Sequence, residues 1–189
     1  MTDQQFSKNL VLRAMRDQVQ RQGVRLQPLP EPQPLNDEQE QLLVQMAEVI
    51  RFIGDDLDRD PKFNNMVDGF ARVADRKKFQ KLVDQVFNND ITWGRIVTLI
   101  CLVAKSIVKM LVDLVSGIVS WTLDYFNDRL LHWICNHGGW VNSISSLACY
   151  SFERDAASSD NLISPASGLF FISGLLLGGY IVWRMNRCA

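Results

Sequence analysis

Leu43, Met46, Ile50, Ile53 and Leu57 recur at intervals of three, four, three and four. That spacing stacks all five on one face of an α-helix, so residues 37–59 are predicted to form one. Phe6, Leu10, Ala14, Met15 and Val19 mark an earlier amphipathic helix over 5–22, ended by Gly23. Between the two, over 23–36, Pro28, Pro30, Pro32 and Pro34 occupy alternate positions. No helix survives that density of proline, and the segment reads as an extended connector. Pro61 stops the second helix. The pattern then predicts a short turn through Phe63–Val67 and a further helix from about Asp75 to Asn88. Asn88, Asn89, Asp90 and Thr92 supply breaking and capping side chains.

Beyond them the polar face narrows. Trp93–Val115 is apolar except at Arg95, Lys105, Lys109 and Asp113, which predicts a helix buried among others. Ser116-Gly117 marks a turn or kink, and Ile118–Cys135 a partner helix carrying Trp121, Tyr125, Leu130 and Trp133, completing a hairpin over 93–135. Gly138-Gly139 ends that helix, and Trp140 is expected to fold back onto the core. Strand signals are scarce, so the class is all-α.

A last apolar segment follows. Ser164 and Pro165 give a capping hydroxyl and a first-turn proline. Pro165 to Trp183 would span about 28 Å as a helix, close to the thickness of bilayer hydrocarbon. Leu169, Phe170, Phe171, Ile172, Leu175, Leu176, Leu177, Ile181 and Val182 supply roughly 3 to 5 kcal/mol of insertion energy. Gly168, Gly174, Gly178 and Gly179 weaken it, leaving a membrane anchor near break-even. Tyr180 and Trp183 sit where interfacial anchors belong, before Arg184 and Arg187. A globular bundle over 1–160 and a C-terminal anchor over 161–189 are therefore expected.

Composition narrows the function. The 189-residue chain carries a net charge of −1, so nothing in its balance suggests nucleic acid. The stretch MTDQQFSKN has no apolar core of a secretion signal. Cys101, Cys135, Cys149 and Cys188 lie far apart, as reduced thiols of a cytosol-facing protein would. His132 and His137 lack metal-ligand spacing, and no phosphate-cradling loop or nucleophile arrangement can be assembled. Neither metal, cofactor nor catalysis is expected.

The stripe on the second helix allows two readings. One is a core-facing helix with a solvated acidic end at Asp55, Asp56, Asp58 and Asp60. The other is a ligand helix whose apolar anchors fill pockets of a groove while Asp55 meets a cation. Gly54 is unexplained by propensity, because it costs roughly 1 kcal/mol relative to Ala.

Three segments bear on that choice. MAEVIRFIGDDLD resembles the third homology (BH-three) motif of the Bcl (B-cell-lymphoma-two) family of apoptosis regulators, ITWGRIVTL the first and WICNHGGW, over 133–140, the second. Within the family, IGDDLD, WGRIV, AKSIVK, WTLDYFNDRLLHWI and GGW look Bax-like. Thr92 stands where the first motif commonly has Asn, and either residue caps a helix. The resemblance implies a helical bundle around a hydrophobic fifth helix, with a groove between the second to fifth helices that accepts a BH-three helix. Its ligand residues would be Met46, Ile50, Ile53, Gly54, Asp55 and Leu57. The groove would carry Trp93, Gly94 and Arg95, and the second motif Trp133, Gly138, Gly139 and Trp140. The implied activity is a pro-apoptotic effector that homo-oligomerises through reciprocal BH-three-in-groove contacts and permeabilises the mitochondrial outer membrane, releasing cytochrome c. Implied partners are BH-three-only activators, anti-apoptotic relatives and outer-membrane lipid, with the protein moving between cytosol and a tail-anchored state facing the cytosol. A guardian of the same fold, sequestering BH-three helices, is the main rival; an adaptor that only recruits partners is another.

Overall fold

The computed structural model describes residues 3–24, 29–88, 90–110, 112–144 and 146–147. Met1–Trp140 is one compact unit and Val141–Ala189 a second. Among its described residues the regular elements are all helical: α1 Asp3–Gln22, α2 Asp37–Leu57, α3 Pro61–Arg72, α4 Arg76–Phe87, α5 Trp93–Ile107, α6 Val112–Tyr125, a π turn Phe126–Leu130, and α7 Leu131–Asn136.

Local chemistry sets most of the boundaries. Asn36 caps α2 reciprocally: its side chain accepts from the Gln39 amide at 2.9 Å, and Gln39 accepts from the Asn36 amide at 3.2 Å. Asp37, Glu38 and Glu40 in that first turn suit the positive end of the helix dipole. Thr92 caps α5 by accepting from the Arg95 amide at 3.3 Å, the bond an asparagine there would make. Asn88 closes α4 in a left-handed conformation at φ 43°.

Two expectations are corrected. The expected turn at Phe63–Val67 lies inside a twelve-residue helix, α3. Asp60 caps it, Pro61 takes its first turn, and Phe63, Val67 and Phe70 are buried along one face. Proline stopped α2 but also started α3. The apolar run from Trp93 breaks at Val108–Met110, while Ser116 and Gly117 lie inside α6. The hairpin bend therefore comes about eight residues earlier than glycine placement suggests, and the partner helix starts at Val112 instead of Ile118.

The core is built on α5. Ile96, Val97, Leu99, Ile100, Leu102, Val103 and Ile107 are all buried, and α1, α2, α3, α4 and α6 pack around them. The connector lies along α1: Asn9 Nδ2 donates to the Gln33 carbonyl at 2.7 Å and its Oδ1 accepts from the Gln33 amide at 3.0 Å. Gln5 reaches the Pro34 carbonyl at 3.1 Å. No helix among the described residues is long and apolar enough to cross a membrane. The proposed anchor, Leu169, Phe170, Phe171, Leu175, Leu176, Leu177, Ile181, Val182 and Trp183, lies outside the described residues, as do Cys149 and Cys188.

Candidate functional site

The stripe on α2 faces inward. Leu43, Met46, Ile50, Ile53 and Leu57 are all buried, in a helix that packs on α1 and α5. Cys101 of α5 meets it directly, its Sγ 3.5 Å from the Ile50 carbonyl. Burial pushes that thiol up to about 12, so Cys101 stays protonated and serves as a small packing group.

Gly54 lies over the same point of α5. A Cβ built there would stand 3.4 Å from Cys101 Sγ and 3.8 Å from Lys105 Cε. Those are ordinary contact distances, so this packing has room for a methyl group. The glycine is not required by the arrangement in which α2 is seen.

The acidic end of α2 is tied down, not merely solvated. Asp55 accepts from Arg21 of α1 at 2.5 and 3.0 Å. Asp58 pairs with Lys105 of α5, whose side chain is 9% exposed against 48% for Asp58. Lys105 lies on the narrow polar face of the central helix; the structure buries it and supplies a carboxylate. Only chain folding could bring positions 21, 55, 58 and 105 together, and the lone clue in the sequence was a lysine interrupting an apolar run.

Arg95 is separate from this cluster. Its Nη1 donates to the Phe87 carbonyl at 2.5 Å and the Asp90 carbonyl at 2.9 Å, with the Asp90 carboxylate 3.6 Å away. The guanidinium thus bridges the α4–α5 connection and remains 35% exposed. Within one molecule Asp55 pairs with Arg21, not Arg95.

The first and second motifs meet at the start of α5. Trp93 stands edge-on to Trp133 with ring centroids 5.1 Å apart, and 5.3 Å from the ring of Trp140. Trp140 is buried and donates its indole N–H to Ser7 Oγ at 2.8 Å. It returns to the core because Gly138 and Gly139 adopt φ of 83° and 69°, where a side chain is strained. A Cβ on Gly139 would also come within 3.0 Å of the Asp3 carboxylate. Trp93, Trp133, Gly138, Gly139 and Trp140 therefore form a structural clasp joining α1, α5 and α7. His137 stacks on Trp133 at 3.9 Å, an aromatic role for a residue whose spacing gave none.

Comparison with known proteins gives a consistent picture. The model of the family described as apoptosis regulator proteins, Bcl-2 family, matches residues 50–140. Apoptosis regulator BAX of Bos taurus is 26% identical over 144 residues, 74% of this chain and 68% of that protein. The Homo sapiens protein of that name gives the same figures of identity and coverage. Bcl-2-like protein 1 of Rattus norvegicus is 28% identical over 110 residues, 56% of this chain and 45% of its own length. Among solved structures, chicken BOK aligns with a TM-score of 0.61 at 20% identity, over 77% of this chain and 99% of that one. Trichoplax adhaerens trBcl-2L2, solved bound to the trBak BH3 segment, aligns with a TM-score of 0.60 at 20% identity, over 77% and 99%.

Proposed function

This chain belongs to the Bcl-2 family of apoptosis regulators, and on that premise we propose that it is a Bax-like, pro-apoptotic effector. In this reading α2 is a BH-three helix that leaves its own bundle, docks in the groove of a second copy and accepts that copy's helix in return. The oligomer permeabilises the mitochondrial outer membrane and releases cytochrome c. Residues 161–189, with the apolar side chains Leu169 to Trp183, anchor it in that membrane, and BH-three-only activators and anti-apoptotic relatives compete for its groove.

Gly54 carries this reading. It weakens α2 by roughly 1 kcal/mol relative to Ala, while the packing against Cys101 and Lys105 leaves room for a methyl group. A residue unfavourable in one packing and unneeded there is explained by a second, tighter one. Met46, Ile50, Ile53 and Leu57 at about 1.5 to 3 kcal/mol each bring roughly 6 to 12 kcal/mol gross to either host. Transfer between hosts is therefore close to balanced, and the ion pairs at Asp55 and Asp58 help decide it. In the docked state Asp55 exchanges Arg21 for Arg95 of the second copy, which fixes register more than it adds affinity. A relative of the same fold bound to a BH-three segment supports a groove of this kind.

Bcl-2-like protein 1 is also similar, which favours the rival reading of a guardian that sequesters BH-three helices. Dye-loaded liposomes separate the two. The full chain with an activating BH-three peptide should release dye, and Ile53→Glu should abolish release. A chain that binds the peptide yet holds the dye is a guardian; one that does neither is an adaptor.

A further inference from the structure

A depression of about 540 Å³ lies between α4 and α6, away from the α2 stripe and touching the homology motifs only at Ile91. Its floor is aromatic: Phe79 sits 6.2 Å from Trp121 and 6.5 Å from Tyr125, and Phe87 stacks on Tyr125 at 5.8 Å. Phe79 and Phe87 are buried, whereas Trp121 and Tyr125 are partly open to solvent. The volume lies within the range of sites that take several side chains. Nothing in the reading of α2 uses this face.

The rim carries more acidic than basic side chains. Asp84, Asp90, Asp124 and Asp128 line the depression against Arg76 and Arg129, all six at exposed positions. Asp90 is partly matched by Arg95. Asp128 and Arg129 emerge from the π turn, a backbone feature found often at functional sites. A net negative lining repels α2 of a second copy, whose end carries Asp55, Asp56 and Asp58, and equally repels an anionic membrane surface.

The geometry points to a docking site for a basic amphipathic helix of another protein. One to three apolar side chains would rest on Trp121 and Tyr125, with lysines or arginines paired to Asp84, Asp124 and Asp128. Arginine fits doubly, because its guanidinium stacks on aromatic faces as well as pairing with carboxylates. α4 spans about 18 Å, room for roughly three helical turns laid alongside, read as anchors at i, i+4 and i+7. The surface shares α4 and the Asp90–Arg95 pair with the groove implied between the second to fifth helices.

The test uses the full chain and a fluorescein-labelled synthetic helix of about fifteen residues, with leucines at i, i+4 and i+7 and lysine or arginine elsewhere. Anisotropy should show saturable binding that weakens with salt and falls roughly tenfold in Asp124→Lys/Asp128→Lys. Asp124→Asn/Asp128→Asn, a milder pair at the same exposed positions, should move it in the same direction. Glu38→Lys/Glu48→Lys, an equal charge change on exposed positions of α2, should leave it unaltered. The site is refuted if both lysine doubles weaken binding equally, if a peptide with glutamate in place of the basic residues binds as well, or if nothing saturates by about 1 mM. Capture on cardiolipin-containing vesicles that Trp121→Glu abolishes would assign the face to lipid and overturn the proposal too.

Discussion

Asp58→Asn is the most direct probe of what holds α2 in its own bundle. The substitution keeps shape and removes one charge. Lys105 then keeps its ammonium at 9% side-chain exposure with its carboxylate partner gone. Breaking a fully buried pair costs about 3 to 5 kcal/mol. Asp58 is 48% exposed, so water screens part of the interaction and the expected loss is nearer 2 kcal/mol. In a chain of this size that is a fall in Tm of about 4 to 8 °C, and a large share of a total stability of about 5 to 15 kcal/mol. Urea denaturation followed by circular dichroism measures it, with the midpoint falling and the slope unchanged. Lys105→Met added to Asp58→Asn should recover most of the loss, because no buried charge then lacks a partner. Asp55→Asn, at a pair more than a third exposed on both sides, should cost under about 1 kcal/mol. The reasoning fails if Asp58→Asn costs less than about 0.5 kcal/mol, or if the double variant is no more stable than the single. Under the effector reading, Asp58→Asn should also lower the amount of BH-three peptide needed for dye release.

Gly54→Ala should raise the stability of the isolated chain by up to about 1 kcal/mol while reducing crosslinked oligomer on liposomes; equal loss of both would show that the bundle itself needs the glycine. Asp55→Arg should cut oligomer formation, with partial recovery when Arg95→Asp is added, and a double variant no better than either single one removes the pairing between copies. Cys101 should react with a thiol reagent only after unfolding. Its folded-state value is raised, so its contribution to stability is complete below the ordinary thiol value of 9.0 and is lost as pH rises from there towards about 12. Cys101→Ala should flatten that alkaline limb of the unfolding curve.

Periodicity alone determined that a helix with one apolar face begins at Asp37, though it ends at Leu57 and not at residue 59, that residues 93 onward are central, and that proline keeps the described part of the connector free of helix. These follow from spacing and from propensities that act within a few residues. The three motifs gave the family and hence the bundle. Tertiary structure decided what local pattern leaves open. Pro61 reads equally as a stop or a start, and only the packing of Phe63, Val67 and Phe70 made it the start of α3. Ser116-Gly117 reads as a bend, yet the chain turns at Val108–Met110, because helix length is set by what α5 must cover and one glycine is tolerated inside a packed helix. Lys105 looks like a surface residue until Asp58, forty-seven positions earlier, is brought beside it. Ion pairs between distant positions leave no periodic trace, and neither does the groove between α4 and α6: each arises only when separate helices share a surface.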